Sequence, residues 1–353
     1  MTAPHRRPVD HRAGVDPLLD VRGLTVEYLG GRRQAPLRAV DGIDLTVALG
    51  ETVGLVGESG SGKTTIGRAI LGLTPVTSGT ISFSGNDITR AGYRERRLLS
   101  SELQVVFQDP YSSLNPTRTV GQTLAETFRV HHRVPAAEVT AQVSSLLDKV
   151  GLSADAAHRY PAQFSGGQRQ RIAIARALIV EPRLVICDEP VSALDLSVQA
   201  QVLNLLRQLQ DEFGLSYLFI AHDLAVVRHL SHRIIVLYHG RIMEQGDAAT
   251  VYGRAAHPYT QALLAAAPVP DPEEQRRRRT SAVRAEPGPV AEVAADACPF
   301  APRCPHAIDV CRTVRPALEA TPDGSQVACH RWAELAAPPA RAPRPAAANA
   351  GVA

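Results

Sequence analysis

The chain has 353 residues, 44% of them hydrophobic, with 38 Lys and Arg against 35 Asp and Glu. That size holds one large domain plus something smaller, and the hydrophobic share argues against general disorder. A formal net charge of only +3 makes no electrostatic case for nucleic acid, and no stretch is long and apolar enough to cross a bilayer.

Residues 1–18 read as a flexible leader; Met1 to Asp16 is polar, without the apolar run of a secretory signal, which points to a cytosolic chain. Alternating apolar positions predict a strand over Leu19–Tyr28, a turn at Gly30–Arg33 and a strand over Ala39–Val47. The run Val53–Val56 predicts a buried strand, and Thr65–Leu71 a helix opening. Strands and helices then alternate to residue 266, the pattern of an α/β domain with a largely parallel core. The clearest helix covers 195–213, where Val198, Val202, Leu205, Leu206, Leu209 and Phe213 recur at helical spacing before Gly214 stops it. Residues 267–295 read as a Pro/Arg-rich linker, with Arg276–Arg279 a solvated, self-repelling run. A compact Cys-rich segment follows at 296–333, and 334–353 reads as a disordered Ala/Pro tail.

Three motifs carry chemistry. Gly57, Glu58, Ser59, Gly60, Ser61, Gly62, Lys63 and Thr64 fit the phosphate-loop pattern and sit between the predicted strand and helix, where the mechanism needs them. Glycines let backbone N–H groups and a helix N-terminus surround phosphate oxygens. Lys63 would reach the β- and γ-phosphates, and the Thr64 hydroxyl would bind Mg²⁺. These residues predict binding of a nucleoside triphosphate. Second, Arg183–Glu189 is an apolar strand delivering adjacent carboxylates at its C-terminal edge. Asp188 would hold the Mg²⁺ shell, and Glu189 would polarise the attacking water as general base. Third, Ser165, Gly166, Gly167 and Gln168 open the helical run Ile172–Leu178, a second helix N-terminus suited to an anion, although Ser165 could also serve as a plain N-cap.

Four stretches together resemble the ATP-binding subunits of ABC transporters, and more narrowly those of the oligopeptide/dipeptide import family: Val56–Thr65, Phe107–Pro116, Phe164–Arg171 and Asp188–Asp195. The similarity runs from about residue 19 to 332, and His257–Thr260 and the later cysteines narrow it. It implies an α/β P-loop ATPase with a RecA-like core, an N-terminal antiparallel β-subdomain, a helical subdomain over about 109–180 carrying the signature, and a small Cys-rich C-terminal extension. It also implies that Tyr28 stacks on adenine (a strand tyrosine is unremarkable in itself), with Thr65 completing the phosphate loop. Gln108 would contact Mg²⁺ and the attacking water, and His222 the γ-phosphate. Ser192–Asp195 would cross to a partner ATPase subunit, while Asp195 could also cap the 195–213 helix. The family arrangement sets two ATPase subunits, identical or related, head to tail with ATP between the phosphate loop of one and the signature of the other. The implied partners are that second subunit, two membrane permease subunits and an extracytoplasmic substrate-binding protein, placing the chain peripherally on the cytoplasmic membrane face. Nickel chelates or sugars remain open as cargo. A soluble ABC ATPase acting on DNA or the ribosome is the alternative class, but it typically has two cassettes or an inserted coiled coil.

Cys187 fills an apolar slot beside Asp188, whereas Cys298, Cys304, Cys311 and Cys329 cluster with five, six and seventeen residues between them. Structural disulfides are not expected in a cytosolic chain, and these gaps fit the close-paired zinc pattern poorly. Four thiolates suit Zn²⁺ or an iron–sulfur cluster, and the family resemblance implies a [4Fe–4S] site. His306 and His330 are nearby candidates as substitute ligands, but read better as solvated loop histidines.

Overall fold

A computed structural model describes residues 16–29, 36–109, 113–266, 294 and 296–335. The expectations for residues 1–15, the Gly30–Arg33 turn, Pro110–Ser112, the Arg276–Arg279 linker and the tail beyond 335 lie outside those residues.

Two sheets organise the molecule. The smaller has the order β2-β1-β4-β5 and is antiparallel, from β1 (Leu19–Tyr28), β2 (Leu37–Val47), β4 (Ser78–Phe83) and β5 (Asn86–Asp87). Among the described residues the larger has eight strands, β11-β12-β10-β9-β3-β8-β7-β6. Its parallel part joins β3 (Thr52–Val56), β6 (Leu103–Val106), β7 (Leu184–Asp188), β8 (Ser216–Ala221) and β9 (Arg233–Tyr238).

Strands covered on both faces read as continuous apolar runs, and this is why β7 and β8 show no polar alternation. Alternate residues enter two separate cores. Leu184 and Ile186, Leu218 and Ile220 pack with the small sheet and with Ile66 and Ile70 of helix α1 (Lys63–Ile70). Val185 and Cys187, Tyr217 and Phe219 face the other side, against α2 (Val120–His131), α3 (Ala136–Lys149), α4 (Gly166–Leu178) and α5 (Leu196–Phe213). The expected 195–213 helix is therefore present, with Asp195 as its N-cap and Gly214 in the left-handed conformation at its end. Cys187 occupies the predicted apolar slot with no exposed surface.

The C-terminal segment is built into this architecture. β10 (Arg241–Asp247) pairs with β9 on one side and with β12 (Gln326–Val327) on the other, and β11 (Glu319–Ala320) completes the edge. Phe300 is buried among Tyr238 at the end of β9, Tyr259 and His257, with ring centroids 5.4, 5.3 and 5.9 Å away. Aromatic packing of this kind binds the Cys-rich segment to the ATPase sheet. Replacing Phe300 by Ala should lower the unfolding free energy by about 3–5 kcal/mol. Urea denaturation of the full chain checks it, and a loss below about 1 kcal/mol would show that the cluster bears little of the stability.

Candidate nucleotide site

The phosphate loop joins β3 to α1 and is held against the β9–β10 turn. Ser61 O accepts from Gly240 N at 2.9 Å, and Asp41 N donates to Gly240 O at 2.9 Å. Gly62 has φ +102°, and a Cβ there would lie 2.5 Å from the Ala39 carbonyl oxygen. Only glycine tolerates both the left-handed backbone and that approach. Lys63 Nζ donates to Gly57 O at 2.7 Å and Glu58 O at 2.9 Å. Burial disfavours its charged form and lowers its pKa, while the carboxylates of Glu189, Asp188 and Glu58 oppose the shift. The ammonium is thus fixed at the loop centre, facing the region where negative charge is favoured.

Thr64 and Asp188 meet from opposite elements: Thr64 Oγ1 donates to Asp188 Oδ1 at 2.9 Å. Burial pushes the Asp188 carboxyl up, and the Thr64 hydrogen bond counters that shift. A hydroxyl and a carboxylate converging at the first turn of α1 are a donor set suited to a hard divalent cation.

Glu189, one residue on, turns out of the sheet. Its φ is +47°, a conformation that costs a non-glycine residue about 1–2 kcal/mol, and its N–H donates to Ile220 O at 3.0 Å. The turn points its carboxylate at two groups from other strands: Gln108 Nε2 donates to Glu189 Oε2 at 3.2 Å, and His222 Nδ1 lies 3.5 Å from the same oxygen. Gln108 follows β6 and His222 follows β8, the strands flanking β7 in the sheet, so adjacency in the sheet explains their convergence.

Tyr28 ends β1 as an exposed residue, with its hydroxyl 3.3 Å from Thr65 Oγ1. Ser165 and Gln168 form a capping box at the start of α4: Gln168 Oε1 accepts from Ser165 N at 3.0 Å, and Ser165 Oγ from Gln168 N at 3.4 Å. A Cβ on Gly167 would lie 2.5 Å from Val198 Cγ1, so glycine here lets the signature helix approach α5. Asp195 Oδ1 accepts from Ser197 N and Val198 N, which gives it the capping role open to it in the sequence.

The matching profiles are "ABC transporter" over residues 40–192 and "Oligopeptide/dipeptide transporter, C-terminal region" over 243–311. The oligopeptide transport ATP-binding protein OppF of Salmonella typhimurium is 50% identical over 80% of this chain and 85% of its own length. OppF of Escherichia coli is 49% identical over 86% and 92%. The chain belongs to the ATP-binding subunits of oligopeptide/dipeptide ABC transporters. It is an ATPase cassette with the α/β fold of that class. A dimeric post-hydrolysis cassette, MJ0796 bound to ADP and Pi, superposes with TM-score 0.60 and 28% identity over 65% of this chain and 98% of its own. The second profile begins at residue 243, inside the segment assigned above to the ATPase domain, in keeping with the pairing of β10 to β12.

The four clustered cysteines line one small pocket with His257 and His306. Cys298 and Cys311 are buried, and burial with the neighbouring sulfurs pushes Cys298 up to about 11. Among the described residues, however, no group of three or more His, Cys, Asp or Glu stands ready to hold a metal ion. The expected four-thiolate ligand set is therefore not assembled here. Burial raises the pKa of Cys304 and Cys329 as well, which disfavours their thiolates.

Two contacts to Glu58 had no signal in the sequence. Its N–H donates to the Tyr259 hydroxyl at 2.9 Å, and its carboxylate takes both ends of the Arg303 guanidinium, at 2.7 and 3.0 Å. Tyr259 lies in the His257–Thr260 motif, but that motif served only to mark the family, and separations of 201 and 245 residues hide both pairings.

Gly62→Ala should weaken binding of a fluorescent ATP analogue on the order of tenfold or more, from the left-handed strain and the clash with Ala39. Binding within about twofold of wild type would show that the loop relaxes freely.

Proposed function

We propose that this chain drives peptide import, hydrolysing ATP in a site shared with a second cassette, identical or paralogous, on the cytoplasmic face of two permease subunits. An extracytoplasmic binding protein would deliver the peptide. The observation that carries the hydrolytic part is the convergence of Gln108 and His222 on one Glu189 oxygen, beside the Thr64–Asp188 pair. The relatives' names supply the cargo: OppF of Salmonella typhimurium and of Escherichia coli is an oligopeptide transport ATP-binding protein.

Lys63 holds the β- and γ-phosphates and the loop N–H groups surround them. Tyr28 offers its exposed ring to adenine. Thr64 and Asp188, with Gln108, are the residues that would hold Mg²⁺, which when bound neutralises charge on the phosphate oxygens. Glu189 accepts a proton from the attacking water while Gln108 and His222 fix its carboxylate, and His222 offers a second contact at the γ-phosphate. The start of α4 serves the partner's nucleotide through its positive dipole end and the N–H groups of Gly166 and Gly167, which lie between the two residues of the capping box. The dimeric state of MJ0796 supports this pairing. Asp109 to Pro116 and Ser192 to Asp195 would carry the closing motion to the permease and to the second cassette.

Glu189→Gln keeps the shape and hydrogen bonds but removes the base. Turnover should fall by about 10²–10⁴-fold, with ATP affinity within about threefold. Phosphate release and equilibrium ATP binding, measured on the full chain, decide it; near-normal hydrolysis refutes the role.

For the pocket of Cys298, Cys304, Cys311 and Cys329 we infer a [4Fe–4S] cluster that draws the thiols together. Brown protein with roughly four iron and four sulfide per chain after anaerobic purification would bear this out. Zinc alone, or no metal, would overturn it.

A further inference from the structure

We propose that Arg303 is a positioning residue for the phosphate loop, through which the state of the cysteine pocket sets ATP affinity. The inference rests on the ATP-binding reading above and adds a residue outside the nucleotide motifs.

The contact is built for orientation. Arg303 Nη1 reaches Glu58 Oε2 at 2.7 Å and Nη2 reaches Oε1 at 3.0 Å, the parallel fork that fixes a carboxylate in plane as well as in distance. The guanidinium is itself held, its carbon 5.8 Å from the Tyr238 ring centroid and 5.7 Å from that of Phe300. Pairing with Glu58 raises the Arg303 pKa further, so the charge is permanent. Glu58 is tied a second time through its N–H to the buried Tyr259 hydroxyl. Its own carbonyl accepts from Lys63 Nζ at 2.9 Å, so one residue joins the C-terminal segment to the phosphate-binding ammonium.

The other end of the contact lies in the thiol pocket. Arg303 ends a single tight turn, Ala301–Arg303, bracketed by Cys298 and Cys304. Ala301 N donates to Cys298 O at 3.0 Å, Cys304 N to Ala301 O at 3.3 Å, and Cys298 N to Cys311 O at 2.9 Å. Whatever draws the four sulfurs together or apart therefore moves the turn that presents Arg303. Both partners are partly exposed, so the pair acts by geometry more than by strength.

The test is steady-state ATPase kinetics and ATP binding on the full chain. Arg303→Ala should raise KM for ATP about threefold to tenfold with kcat within about twofold, and Arg303→Lys, which keeps charge but loses the fork, should fall between. Exchanging the charges in Glu58→Arg/Arg303→Glu should recover affinity relative to either single variant. Cys304→Ser should also raise KM, but not further once Arg303 is already Ala. A purely structural role would lower thermal stability without the KM shift or the rescue. The proposal is overturned if folded Arg303→Ala and Arg303→Glu keep the wild-type KM, or if the Cys304 and Arg303 effects simply add. Failure of the wild type itself to bind ATP would refute the earlier reading instead.

Discussion

Burial of the Lys63 ammonium is the constraint on which the site depends. A cation held among loop carbonyls at 2.7 and 2.9 Å and stripped of much of its water must be balanced. The protein does this with Glu189 and Asp188 at the end of β7, which β8 separates from β3 in the sheet. In the proposed function the same carboxylates would hold the metal and orient water, so the group that would attract phosphate depends on the acids that would do the chemistry. The arrangement leaves Asp188 a carboxylate raised by burial and steadied by Thr64. Each group makes its neighbour's position tolerable, and the loop, α1 and the end of β7 form one unit.

Much of this was legible in the sequence, for definable reasons. Phosphate-loop spacing is dictated by backbone geometry around an anion, so it is local and readable. The strand Leu184–Asp188 and the helix Leu196–Phe213 declare themselves by apolar pattern because both are packed by the core. Gln108 and His222 lie far from Glu189 in sequence, and family resemblance alone named their roles. Their meeting depends on strand order, β6 beside β7 beside β8, which no local pattern encodes.

What the sequence hid is instructive. Texture alone separates a Cys-rich segment from the ATPase domain, yet β12 pairs with β10 and Phe300 packs on Tyr238. A two-residue strand such as Gln326–Val327 carries no periodicity to detect. The Arg303–Glu58 fork is equally silent, since one surface arginine among many has no mark until the fold aligns it. The cysteine spacing promised a ligand set, whereas the described residues bring the four thiols to one pocket without assembling a metal site.

Sequence distance within that fork also sets a clock. Arg303 emerges 245 residues after Glu58. At about 5–20 residues per second of synthesis, the nascent phosphate loop spends on the order of 10–50 s without its guanidinium tether or the flanking β12 edge. Nucleotide capture on the ribosome would therefore begin with a looser loop than the finished chain possesses, and tightening would come as the last sheet edge zips shut.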